Sequence, residues 1–139
     1  MRGFWILIIL TCLGCSEKKV LAEDLHFLNG YWQIQEVTMP DGSKKTYGPG
    51  AVIDYIVLNN KKGYKKKVQP SIDGSYQISK DQEPLEIRNG ERGFIMYYQN
   101  TLSSWQDRLV SLDSLQYSII NEDGITYTYT RFQPISIEP

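Results

Sequence analysis

From Gly30 onward the chain alternates apolar and polar residues with period two, and turn residues break the pattern about every eight to twelve positions. This pattern predicts strands near Gly30–Thr38, Ala51–Leu58, Gly63–Gln69, Ser75–Ser79, Leu85–Arg88, Gly93–Gln99, Ser104–Leu112, Leu115–Ile120 and Ile125–Phe132. Asp41-Gly42, Asp73-Gly74, Asn89-Gly90 and Asp123-Gly124 each offer a residue tolerant of positive φ, which tight hairpins need. Glu23 to Leu28 can form one helical turn, with its acids at the amino end where the backbone dipole favours them. Beyond the first fourteen residues no stretch of ten holds a helical apolar face. Gln133 to Pro139, with two prolines, reads as a tail leaving the sheet.

An antiparallel meander of this kind closes into a barrel or folds into a sandwich, and alternation alone does not choose. The two ends of the pattern do. Trp32 and Ile34 share one face of the first strand, with Gln33 and Gln35 on the other. On the last strand Ile125, Tyr127, Tyr129 and Arg131 share a face opposite three threonines. Arg131 therefore points inward and needs a partner. Barrel closure pairs first and last strands, so the guanidinium can lie on the indole of Trp32, beside a glycine that lets backbone approach closely.

Gly30-Tyr31-Trp32 after a short helical turn, with an arginine on the final strand, resembles the lipocalin pattern of the calycin superfamily. Ser111 to Phe132 is similar to the closing hairpin of bacterial lipocalin-like lipoproteins. The resemblance implies an all-β fold, an antiparallel up-and-down barrel of eight or nine strands. It also implies a carrier of small hydrophobic molecules.

The first residues add an address. Arg2 precedes an apolar run from Phe4 to Leu13, which ends at Gly14-Cys15 and turns at once to Ser16-Glu17-Lys18-Lys19. This is signal-peptide anatomy, too short to span a ~30 Å bilayer core. Thr11-Cys12-Leu13-Gly14-Cys15 resembles the lipobox of bacterial lipoproteins, with Cys12 where leucine is usual. The resemblance implies cleavage after Gly14 and acylation of Cys15. The chain then divides into a signal peptide (1–14), a lipid-anchored tether (15–23) and a barrel domain (24–139). Its expected place is the bacterial envelope, held to a membrane by lipid, with Ser16 after the cysteine favouring the outer membrane. Of 139 residues, 14 would leave, and the remaining 125 would carry one cysteine, so no disulfide forms within a chain. With 15 basic and 16 acidic residues, net charge gives no sign of a nucleic-acid partner.

Catalytic chemistry is not assembled. His26 is the sole histidine, no Gly-x-Ser-x-Gly or phosphate loop occurs, and no zinc set or other cofactor site is expected. If the barrel holds an apolar ligand, its walls come from inward positions on neighbouring strands: Tyr55 and Val57, Met96 and Tyr98, Tyr117 and Ile119, Tyr127 and Tyr129. In this phase Asp54 faces outward, since Ile53, Tyr55 and Val57 make the more apolar set. The competing expectation is that the same rings fill a narrow barrel. Five lysines between Lys61 and Lys67 read as a solvated hairpin tip or as a contact for anionic head groups or glycans. A non-enzymatic envelope protein that binds a protein or glycan partner, such as an inhibitor, on its outer wall is the second functional reading.

Overall fold

The computed structural model describes residues 18–48 and 52–132. Residues 1–17, where the signal peptide and Cys15 are expected, residues 49–51 and residues 133–139, the expected tail, lie outside them. A 3₁₀ helix, Ala22–Leu28, precedes nine strands: β1 (Gly30–Thr38), β2 (Lys44–Thr46), β3 (Ile53–Asn59), β4 (Lys62–Pro70), β5 (Tyr76–Gly90), β6 (Gly93–Gln99), β7 (Ser104–Leu112), β8 (Gln116–Ile120) and β9 (Thr126–Arg131). Each strand from β3 to β9 pairs antiparallel with the next, and β9 returns to β1. Eight strands thus close a barrel. The ninth, β2, is a short edge strand on the upper part of β1, pairing Glu36 to Thr38 with Thr46 to Lys44.

Glycines mark the places where the chain must turn or approach itself. Gly42, Gly74 and Gly124 take positive φ after their Asp residues, as hairpin turns require. The Asn89-Gly90 expectation is corrected. Gly90 pairs with Gly93 inside the ladder, so the turn sits on Glu91 and Arg92. Gly90 serves close packing instead, because a Cβ there would meet the Ile95 side chain at 2.8 Å.

Two predicted strands, Ser75–Ser79 and Leu85–Arg88, are one long strand. Lys80 to Pro84, between them, carries no apolar alternation to mark a strand. It stays in the sheet because β4 runs alongside, pairing Lys65 with Glu83 and Tyr64 with Pro84. The register slips between Lys66 and Val68, where Ser79 to Asp81 bulge out opposite Lys67. The three-residue strand β2 went unpredicted. Its residues are all exposed, so no apolar alternation marks it.

The helix plugs one end of the barrel, here the base. Leu25 and Leu28 join Trp32, Ile56, Leu85, Ile87, Met96, Leu109, Tyr117 and Ile119 in one continuous core. Burying each such side chain contributes roughly 1.5–3 kcal/mol, so this core is a large part of what holds the barrel together.

Candidate functional site

The base is a closure device. Arg131 lies over the Trp32 ring, its guanidinium carbon 3.7 Å from the ring centroid. Its nitrogens donate to three backbone carbonyls: Nη1 to Asn29 and Nη2 to Phe27, each at 2.6 Å, and Nε to Ser114 at 3.1 Å. Trp32 Nε1 donates to the Leu28 carbonyl at 2.8 Å, and its ring meets Tyr117 edge-on at 4.7 Å. Gly30 has φ +117°, and a Cβ there would stand 2.7 Å from Arg131 Nη1. One cation therefore ties the helix, β1, the β7–β8 turn and β9 together over an indole. The glycine is required by that approach.

The upper half of the barrel differs. The inward face of β3 is Asp54, Ile56 and Leu58, because Trp32 pairs with Asp54 and Ile56 is wholly buried. Tyr55 and Val57 point outward, and Tyr55 stacks on Tyr31 outside the barrel at 4.6 Å. The expected phase of this strand is therefore reversed. Alternation sorts Ala51 to Leu58 into two sets, both largely apolar, without saying which faces in. Asp54 can be inside, 3% exposed, because Lys67 on β4 stands directly opposite and donates to its Oδ1 at 2.7 Å. The same face of β4 carries Lys65, so the lysine run is not one solvated tip. Lys61 and Lys62 sit at the hairpin turn, Lys66 lies outside near the Tyr64 ring, and Lys65 and Lys67 point in.

Lys65 is the centre of an internal charge group. Its ammonium lies 3.4 Å from Glu83 Oε2 and 4.5 Å from the Tyr98 ring centroid, with the side chain 14% exposed. That Glu83 oxygen is shielded from solvent and accepts no hydrogen bond. Asp107, opposite Met96 on the inner wall, also feels Lys65. Burial pushes its acid up from 3.8 to about 6; Lys65 opposes the shift and Glu122 in the β8–β9 turn adds to it. Burial likewise raises Tyr98, Tyr117 and Tyr129 above the ordinary tyrosine range, so all three rings keep their hydroxyl protons.

Of the inward candidates, Met96, Tyr98, Tyr117 and Ile119 are buried, while Tyr127 and Tyr129 pack against the core and stay partly exposed. Tyr98 stacks on Trp105, and Tyr117 on Tyr129 at 4.7 Å. Inward-facing Ile34, Trp105, Asp107, Tyr127 and Tyr129 all retain solvent access. The inward wall is thus packed at Trp32, Ile56, Leu85, Ile87 and Met96 and partly accessible to solvent at Ile34, Trp105, Asp107, Tyr127 and Tyr129. A groove of about 530 Å³ reaches the charge group from the side, between the β5 bulge and the β6–β7 loop, and is lined by Lys65, Lys67, Glu83, Asp81, Asn100 and Leu102 among others.

Sequence reasoning missed Asp54, Lys65, Lys67, Glu83 and Asp107 as members of one site. A signal existed in the two lysines at alternate positions on β4, Lys65 and Lys67, but reading it needed the register. His26 is exposed, and its Nδ1 donates to the Glu23 carbonyl at 2.7 Å. Among the described residues no group of three His, Cys, Asp or Glu side chains could hold a metal.

The raised acid of Asp107 makes a stability prediction. Folding favours its protonated form, so stability from this group is full below about pH 4 and is lost as pH rises through about 6. Asp107→Asn removes the cost of the buried charge. It should stabilise the chain by about 1 kcal/mol at pH 7, allowing for water at the carboxyl, and by almost nothing at pH 4. Urea denaturation at both pH values measures this. Equal effects at the two would contradict a carboxyl that titrates between them.

A family profile described as a lipocalin-like domain matches residues 28–111, from the end of the helix through most of β7. No curated protein matches the chain. Among solved structures, a lipocalin-like protein from Bacteroides uniformis superposes with a TM-score of 0.51 at 12% identity, covering 76% of this chain and 99% of that one. Apocrustacyanin C1 gives a TM-score of 0.48 at 11% identity, over 80% of this chain and 64% of its own. The barrel, its plugged base and the profile match over most of its length agree: the chain belongs to the lipocalin-like domain family.

Proposed function

We propose that the chain is a non-enzymatic binding protein that takes a small, largely hydrophobic ligand into the open upper half of its barrel. One observation carries this reading: inward-facing Ile34, Trp105, Tyr127 and Tyr129 keep solvent access, whereas Trp32, Ile56, Leu85 and Ile87, nearer the base, do not. Apolar rings that face a concave interior and still meet water gain by covering each other with a ligand. The ligand is small, because Met96 and Tyr117 already fill the space below.

The test is titration of the purified chain with the neutral apolar probe N-phenyl-1-naphthylamine. Fluorescence should rise saturably at one site, and Trp105→Ala should weaken binding roughly five-fold or more. A non-saturable signal, or one indifferent to Trp105, would end this reading.

The address belongs to the same proposal. Acylation at Cys15, following the lipobox-like Leu13-Gly14-Cys15, would hold the barrel to an envelope membrane, the outer one by the analogy of Ser16. Cys15→Ala should remain unprocessed and take up no labelled palmitate; normal cleavage without labelling in either form would contradict it.

A second reading rests on the outer wall. Tyr31 and Tyr55 stack there, Lys66 lies over Tyr64, and Arg88 lies 3.7 Å over the Tyr97 ring. Such a band of rings and cations suits a protein or glycan partner. Failure of the probe titration would turn attention to it.

A further inference from the structure

Above the base of the barrel, among the described residues, the inward charges do not balance. Three carboxylates face inward, Asp54 on β3, Glu83 on β5 and Asp107 on β7, against two ammonium groups, Lys65 and Lys67 on β4. Lys67 is committed to Asp54 at 2.7 Å. Lys65 is left to serve both Glu83 and Asp107, and does so imperfectly. Its distance to Glu83 is 3.4 Å, without a hydrogen bond to the shielded oxygen. Asp107 belongs to none of the four ion pairs among the described residues. Arg131, the other inward cation, is spent at the base on three carbonyls.

We propose that the ligand carries a protonated amine, which Asp107 receives, with Glu83 left to Lys65. The inference rests on the binding reading above and names the class of molecule that site accepts. A partly buried carboxylate that makes no ion pair of its own among the described residues loses hydration that Lys65, shared with Glu83, offsets only in part, and an ammonium ion restores it with a charge-assisted hydrogen bond. The walls suit the same ligand. Trp105 stacks on Tyr98, and Tyr127 and Tyr129 lie on the neighbouring wall, so the apolar body meets rings whose faces also attract a cation. An anionic ligand meets the opposite conditions, because Glu122 adds a further negative charge beside Asp107 at the rim.

Acid should weaken the amine site. Asp107, pushed up to about 6, takes a proton as pH falls through that value and then no longer offers a negative charge. The charged and titratable groups that it interacts with are Lys65 on β4, Glu122 in the rim turn, Tyr98 on β6, Tyr117 on β8 and Tyr129 on β9; Glu83 on β5 and Asp54 on β3 lie beyond them, against Lys65 and Lys67. The tyrosines do not ionise in this range.

The experiment compares three probes with one fluorophore at pH 7.5: dansylcadaverine, which carries a primary amine, neutral dansylamide and anionic dansylglycine. The amine should bind at least ten-fold tighter than the anion. Asp107→Asn should cut that preference to two-fold or less without lowering the melting temperature, and so should a shift of the wild-type chain to pH 5. Equal binding of amine and anion, preference for the anion, or an Asp107→Asn chain that keeps the wild-type preference would overturn the proposal. Saturable dansylamide binding without amine preference would overturn this inference alone. No saturable binding of any of the three would overturn the binding reading with it.

Discussion

Replacing Arg131 by alanine should destabilise the chain by about 3 kcal/mol, a fall of roughly 10 °C or more in melting temperature for a domain of this size. Two losses add. The cation–π contact with Trp32 is worth ~0.5–2 kcal/mol, and the carbonyls of Phe27, Asn29 and Ser114 lose charge-assisted bonds that water restores only in part. Arg131→Lys should recover a minority of the loss, since a single ammonium cannot reach three carbonyls in three directions while lying flat on an indole. Gly30→Ala, which sets a methyl 2.7 Å from Nη1 at a φ that side chains rarely adopt, should disturb the same cluster from the other side. Chemical denaturation measures all three. An Arg131→Ala loss below about 1 kcal/mol would show that the plug does not depend on this cation.

Met96→Trp tests whether the base is filled. Met96 has no solvent exposure, and it stands between Ile87 and Asp107 on the inner wall. An indole there has no space to occupy without moving its neighbours, and overpacking of this kind costs about 1–3 kcal/mol. The expected result is a loss near the top of that range, with naphthylamine binding in the open half reduced far less than by Trp105→Ala. If stability holds and probe binding vanishes, the ligand space extends down past Met96, and the division into a filled base and an open top is wrong.

Much of this protein was legible in its residues. Period-two alternation and Asp-Gly turns located most strands, because half-buried strands must alternate and tight hairpins need positive φ. Trp32 and the inward phase of Arg131 pointed to closure, because an unpaired guanidinium inside a sheet protein demands a partner. The lipocalin-like barrel followed from those ends. The interior charge group was not legible. Alternation divides a strand into two faces but does not say which is inside. For Ala51 to Leu58 the apolar content of both faces hid the answer. Only the pairing of β3 with β4 decided it: Lys67 opposite Asp54 makes the acid tolerable inside, and the strand turns over accordingly. Likewise, Lys65 became an interior cation because its register sets it opposite Glu83, within the Lys80 to Pro84 stretch that lies outside the strands the alternation marks. Local composition set where the strands run and where they turn. Partners far apart in the chain set which side of each strand is inside, because a buried charge is stabilised only by whatever group the register brings opposite it.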